Sequence, residues 1–443
     1  MAIKTFMQAV ACLTGLLFYH FLNPGSVLAQ ECNPADIVLS SQAEVDAFQA
    51  NHGPCDRVSG DLKVEGADVV SLAGLSDVEE IYQLNIWRNP LLKDLQGMSG
   101  LKKASHLSIF GNPSIISLQG MASLEDLNDL YIAYNEELPA LQGLESVGLV
   151  THLRIRGNSS LQSLQGLSNL SEVIYQVEIS GNNALTSLDV LESLSTLRGE
   201  LIIEDNTALA NIDGHSSQSS LASEGQCSIR IQRNDSLTNL AGLSSLTEVP
   251  CSLIIHQNDA LSNLSGLHNL VSVGQWLHIA ANPSLANLAG LHQLKNVGAL
   301  GLINNESLSD VSALSGLQTI YGFLEITSNP SLSDLVGLTS LTSVGVGGGM
   351  MSGILIRDND GLQSLYGLST VQAASRVYIE RNPLLADCLG VNLLIDPIDD
   401  YEPGPGPGVA GIPDVTHKVS FTENAAGCNS VNESLAQAPV SYT

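Results

Sequence analysis

The sequence predicts an all-β chain: a parallel β-solenoid of about fourteen coils, each 23–24 residues long, with an Asn ladder and a disulfide-closed cap at either end. Two observations predict it. First, a unit of the form L-x-I-x-x-N-x-x-L-x-x-L-x-G-L-x-x-L recurs, with its Asn at Asn89, Asn112, Asn135, Asn158, Asn182, Asn206, Asn234, Asn258, Asn282, Asn305, Asn329, Asn359 and Asn382. Ten of the twelve steps between these positions are 23 or 24 residues, the others being 28 and 30, and such a period marks a stack of coils, each burying its apolar face on the next. Second, only 4% of the 443 residues are aromatic while 44% are hydrophobic, so the interior must be filled by aliphatic side chains.

The first element, residues 1–29, reads as a secretory signal peptide. Lys4 precedes an apolar stretch from Ala9 to Leu22, and Val27-Leu28-Ala29 suits cleavage after Ala29. Gln30 and Glu31 separate that point from Cys32, which argues against a lipid anchor, and no other segment is long and apolar enough to span a bilayer. The expected location is secreted or at the cell surface. Six cysteines then remain, and an even number in an exported chain favours disulfides. Residues 30–58 form the N-terminal cap, in which Asp36 to Ala50 reads as a short capped helix held by Cys32–Cys55.

Residues 59–387 are the solenoid. Aliphatic residues five and three before each Asn, such as Leu253 and Ile255, share one face of a strand and point inward. Leu residues three and six after the Asn turn inward at the following corners, and Gly eight after it, as in Gly97, Gly166, Gly266 and Gly367, stands where a side chain would not fit. The buried Asn amides are expected to bond otherwise unpaired backbone groups and so to form a ladder. The sequons at Asn158, Asn234 and Asn305 fall on that ladder, whereas those at Asn169, Asn263 and Asn432 are expected to be more accessible. Cys227 and Cys251 each lie seven residues before an Asn, so adjacent coils bring them within disulfide range. Residues 388–443 form the C-terminal cap, closed by Cys388–Cys428 around the Pro/Gly loop 403–408.

The residues resemble a known family. Cys32 and Cys55 around Ser-Gln-Ala-Glu-Val, then Gly60-Asp61-Leu62-Lys63-Val64, then units such as Leu253-Ile254-Ile255-His256-Gln257-Asn258 are similar to receptor L-domains, leucine-rich β-helical domains found in growth-factor receptors, fungal cell-wall proteins and secreted bacterial proteins. The segment Asn424-Ala425-Ala426-Gly427-Cys428-Asn429-Ser430 resembles the terminal cap of the bacterial members, and the resemblance spans Cys32 to Ser434. It implies coil packing rather than a chemistry. One long array replaces two short domains about a cysteine-rich segment, so receptor signalling is not implied.

The net charge of −28 argues against nucleic acid or anionic lipid as partner. No convincing nucleophile, Walker or zinc-protease motif occurs, and no pair of carboxylates with a neighbouring Lys or Arg recurs on the outward positions of successive coils, as a sugar-cleaving solenoid requires. The outward columns are too irregular for an ice-binding array. Acidic turns at Glu204-Asp205-Asn206 and Asp358-Asn359-Asp360 lack a dense calcium loop, so no metal and no cofactor is expected.

The candidate binding residues are Trp87, Arg88, Phe110, Tyr131, Tyr134, Arg154 and Arg156, which fall on outward or turn-adjacent positions of successive early coils. Exposed aromatics beside Arg form binding hot spots and carbohydrate platforms. A second polar group, Arg230, Arg233, His256 and His278, lies beside the insertion His215 to Gly225. The expected function is non-catalytic recognition or adhesion toward an extracellular protein or glycan, with a structural role in an envelope or matrix second and a glycan-acting enzyme third. The six residues before each ladder Asn contain eight Arg and eight acidic residues, so this face sums to zero and the acid surplus lies elsewhere.

Overall fold

The computed structural model describes residues 30–189, 191, 194, 196–197, 199–213, 228–345, 352–394, 419–430 and 433–434. The expected signal peptide, the insertion 215–225, the Pro/Gly loop 403–408, Asn432 and Cys227 lie outside the described residues. The described strands form one parallel sheet in which each coil contributes a strand paired with those of the coils before and after it. The first seven are β1 (Ile37–Leu39), β2 (Arg57–Val64), β3 (Glu80–Trp87), β4 (Lys103–Phe110), β5 (Asp126–Ala133), β6 (Leu149–Arg156) and β7 (Glu172–Ser180). The last is Val419–Thr422, paired with Val377–Glu380.

The repeat explains the coil. In the coil around Asn89, Leu84, Ile86, Leu92, Leu95, Met98 and Leu101 have no solvent exposure, and the equivalent aliphatics are buried all along the stack. Burying one such side chain contributes about 1.5–3 kcal/mol, so each coil holds its own share of the core. The return path is a chain of tight turns with single 3-10 turns such as Gln96–Met98 and Ser265–Leu267, in keeping with the absence of helical periodicity. There the glycines act: a Cβ at Gly97, Gly266 or Gly367 would overlap the backbone of Leu72, Leu240 or Leu335 in the preceding coil.

All thirteen ladder Asn side chains are fully buried, among them the three sequon asparagines Asn158, Asn234 and Asn305. Asn112 shows the pattern: its Oδ1 accepts from the backbone N and the Nδ2 of Asn89, and its Nδ2 donates to Ile86 O and Asn135 Oδ1. Gly66 opens the ladder by donating its N–H to Asn89 Oδ1. Asn424 extends it beyond Asn382, and Asn429 ends it by accepting from Asn424 N.

Coil length goes with strand continuity along much of the stack, although the 23-residue coil ending at Asn382 is broken between Ala374 and Val377. The coils ending at Asn112, Asn135 and Asn158 follow steps of 23 residues and carry unbroken eight-residue strands in β4, β5 and β6. Coils of 24 residues place their extra residue within the strand, as a register shift opposite Val150/His152 in β7 and between Val273 and Trp276 later, or as a break beside Pro250.

Cys32–Cys55 and Cys388–Cys428 are disulfides at the two ends. Cys251 is disulfide-bonded, and Cys227, the partner expected for it, lies outside the described residues. The N-terminal cap departs from the expected helix over Asp36 to Ala50. Ile37-Val38-Leu39 alternates buried and exposed and joins the sheet as β1, opposite Leu62-Lys63-Val64. Only then do two short helices follow, α1 (Gln42–Asp46) and α2 (Phe48–His52). A reciprocal cap starts α1: Glu44 N donates to Ser41 Oγ and Ser40 N to Glu44 Oε2. Val45 and Phe48, both fully buried, cover the end of the core.

Candidate ligand-binding face

The bulge-free strands β3 to β6 carry the candidate residues. Trp87 stands opposite Phe110, which stands opposite Ala133 and then Arg156; one column over, Ser108, Tyr131, Arg154 and Glu178 are successive neighbours. The small Ala133 leaves Tyr131 and Tyr134 beside Phe110. The Phe110 ring lies nearly parallel to Tyr131 at 6.3 Å and meets Trp87 and Tyr134 edge-on at 6.3 and 5.5 Å. The Trp87 indole donates to Ser108 Oγ at 2.8 Å. Lys63 Nζ stands 4.9 Å from the Trp87 ring and the Arg88 guanidinium 5.6 Å from Phe110, both within cation–π range. Trp87, Phe110 and Tyr131 are half-buried against one another and Tyr134 is exposed.

Arg88 and Tyr134 are placed by the backbone. Each residue immediately before a ladder Asn is left-handed, with φ between 52° and 67° for Arg88, Gly111, Tyr134, Gly157 and Gly181. Its N–H donates across to the next coil, as Arg88 N does to Phe110 O and Tyr134 N to Arg156 O, both at 2.9 Å. Gly157 makes room for its neighbour: a Cβ there would lie 2.7 Å from the Tyr134 ring.

The cations differ in their partners. Arg88 and Lys63 share Glu65, lowering its pKa through hydrogen bonds from Lys63 and then Arg88. Arg156 Nε is 3.0 Å from the nearly buried Glu178. Arg154 bonds Gln176 Oε1 through Nε at 2.8 Å and has no carboxylate partner among the described residues. Burial raises the Tyr131 pKa, so its phenol stays protonated and available as a donor.

The second polar group is already paired. Arg230 bonds Glu200 at 3.0 Å, and Arg233 grips Asp205 at 2.6 and 2.9 Å and Glu204 at 3.2 Å. Asp358 is held by Arg381 at 2.6 and 2.8 Å. The acidic turns thus face guanidinium groups. Among the described residues no three His, Cys, Asp or Glu side chains are grouped to hold a metal ion. His256 and His278 lie edge to face at 6.3 Å, and burial lowers the pKa of both.

Two features went unread in the sequence. Trp276 meets His278 at 6.2 Å, six residues before Asn282. The same sixth-before column carries His106, Asp129 and His152 across β4, β5 and β6, with Asp129 bonded to both imidazoles. Their signal was the continued outward alternation at two, four and six before the Asn, where the sequence reading stopped at four.

Residues 295–390 match the receptor L domain family, a narrower span than the resemblance read from Cys32 to Ser434. Among curated proteins no match was found. A leucine-rich-repeat protein of Leptospira interrogans is 17% identical over 73% of this chain and 83% of its own, with a TM-score of 0.36. An internalin of Listeria monocytogenes is 15% identical over 78% of this chain and 85% of its own, with a TM-score of 0.33. Among the described residues no helix is long and apolar enough to cross a membrane.

Proposed function

We propose that this receptor L-domain-like leucine-rich β-solenoid is a non-catalytic recognition protein, secreted or held at a cell surface, that presents its sheet face to an extracellular protein or glycan. The observation that carries the reading is the cluster of four aromatic rings on β3 to β5 and the turn after it, flanked by Arg88, Arg154 and Arg156. In a chain with 4% aromatics, three rings gathered around Phe110 at the surface serve no need of a core already filled by Leu and Ile. Rigid rings beside guanidinium groups supply contact area at low entropic cost and are the composition of interface hot spots. The two capping disulfides suit an oxidising compartment.

The Trp87→Ala/Arg156→Ala double variant tests this. Both side chains project from the sheet, so the fold should persist by circular dichroism while binding on arrays of glycans and purified extracellular proteins weakens by about tenfold or more. Unchanged binding to an identified ligand removes the patch from the site. Turnover on a polysaccharide panel removes the non-catalytic reading.

A further inference from the structure

Taking the sheet face as the recognition surface, we propose that Tyr82, His106, Asp129, His152 and Tyr175 form a second, linear site that binds hydroxyl groups of an uncharged polysaccharide lying along the stack. The five residues stand on β3, β4, β5, β6 and β7, one on each successive strand. At the usual strand spacing the row is on the order of 19 Å long.

Asp129 is the centre. Its Oδ2 is 2.6 Å from His106 Nδ1 and its Oδ1 is 2.6 Å from His152 Nδ1, and the Thr151 hydroxyl bonds Oδ1 as well. Burial raises its pKa, but the bonds from Thr151 and His152 and the two imidazole interactions outweigh that and lower it, so the carboxyl is ionised. An ionised carboxylate only accepts hydrogen bonds, so both imidazole protons sit on Nδ1. In its neutral form each ring, its one proton on the Nδ1 that faces the carboxylate, turns an Nε2 lone pair away from Asp129, and neither Nε2 has a hydrogen-bond partner among the described residues. Tyr82 meets His106 edge-on at 5.6 Å and Tyr175 meets His152 at 5.4 Å, which holds the rings in place. Both tyrosines are more than half exposed.

The row thus offers two preorganised acceptors between two open aromatic rings. Hydroxyl groups donate to such acceptors, and the C–H faces of sugar rings stack on such rings. A cationic ligand would find the Asp129 oxygens already taken by three donors, and an anionic ligand would meet lone pairs. An extended peptide needs alternating donors and acceptors, and the centre of the row donates nothing. Two Nε2 atoms without a third ligand are a poor metal site.

Linear β-1,4-linked hexamers of glucose and of N-acetylglucosamine are the probes, titrated calorimetrically into the full chain. Asp129→Asn keeps the shape, but its amide accepts from only one imidazole and forces the other into the Nε2–H tautomer. It should weaken hexamer binding roughly fivefold, about the loss of one hydrogen bond, and His106→Phe/His152→Phe, which keeps both rings, should weaken it further. Imidazole 15N spectra of the unliganded wild type should show Nδ1 protonated in both rings and, in Asp129→Asn, one ring switched. Nε2–H tautomers in the wild type, or equal hexamer affinity in all variants, overturn the proposal. So does hexamer binding that only Trp87→Ala/Arg156→Ala reduces, or Zn2+ binding without hexamer binding. If a purified extracellular protein binds through Trp87 and Arg156 while no hexamer binds, the recognition face stands and the hydroxyl row falls; if nothing binds, both fall.

Discussion

At the residue scale, the ladder Asn is the least replaceable side chain. Asn258 Oδ1 accepts from Asn234 N and Nδ2 at 3.2 and 3.3 Å, and its Nδ2 donates to Ile231 O and His256 O at 3.0 and 3.2 Å. Asn258→Ala strands several buried polar groups at about 1–3 kcal/mol each, so the urea midpoint should fall by an amount worth at least ~3 kcal/mol. Asn424→Ala, at the partly exposed end of the ladder, should lose about 1 kcal/mol; equal losses at the two positions would contradict the ladder as the source. Gly157 offers a subtler change. Gly157→Ala adds a methyl against the Tyr134 ring without replacing a patch residue, so it should displace Tyr134 and weaken ligand binding with a stability loss of only about 1 kcal/mol. A crystal structure of the variant with Tyr134 unmoved would refute this. Asp129 gives the molecule an acid sensitivity of known sign. Its folded pKa lies below the ordinary aspartate value, so its stabilisation is present above that value and is lost as pH falls through the folded pKa. Thermal scans from roughly pH 5 to pH 2 should show a shallower decline for Asp129→Asn than for wild type.

At the scale of elements, the caps and the strand breaks matter most. The last strand, Val419–Thr422, is separated from its neighbour Val377–Glu380 by a long connection and is tied back by Cys388–Cys428, with Asn424 taking up the ladder. Cys388→Ser/Cys428→Ser should cost about 2–4 kcal/mol through the longer free loop. It should also expose the edge of Val377–Glu380, so light scattering at elevated temperature should rise before global unfolding; a variant that stays monodisperse up to its unfolding midpoint would show that the disulfide does not guard the edge. The coils, the ladder and both end disulfides were legible in the sequence because one coil repeats another: Leu84 and Ile86 read inward from period two alone. The left-handed residue before each Asn was not legible, since Arg88, Tyr134 and Gln257 adopt it without being Gly, their N–H groups bonded to the next coil. The sixth-before column was missed for a related reason. Two outward residues, Tyr82 and Gln83, separate inward Ile81 from Leu84, and this break in the alternation hides where the strand begins. Ladder member Asn424 was invisible because 42 residues part it from Asn382, and β1 because it lies ahead of the first full repeat.

At the scale of the whole molecule, charge is divided by face. The strand segments before the ladder carry equal numbers of Arg and acidic residues, and the structure pairs many of them across coils, as in Arg156–Glu178, Arg230–Glu200, Arg233–Asp205 and Arg381–Asp358. The net −28 therefore comes from residues outside those six-residue segments. Two opposed effects set the response to salt. Screening weakens the exposed pairs, each contributing about 0–1 kcal/mol, and it relieves repulsion among the surplus carboxylates, which extends over a Debye length of about 10 Å at 0.1 M salt. Several pairs are partly buried and hydrogen-bonded, so salt reaches them less than it reaches the turns, where acidic residues repeat at the coil spacing. Repulsion should win. The unfolding midpoint should rise as NaCl goes from roughly 0.02 to 0.3 M, and Arg233→Gln should steepen the rise by freeing Glu204 and Asp205 to join the surplus. A midpoint that falls with salt would instead make the cross-coil ion pairs the dominant electrostatic contribution to the stack.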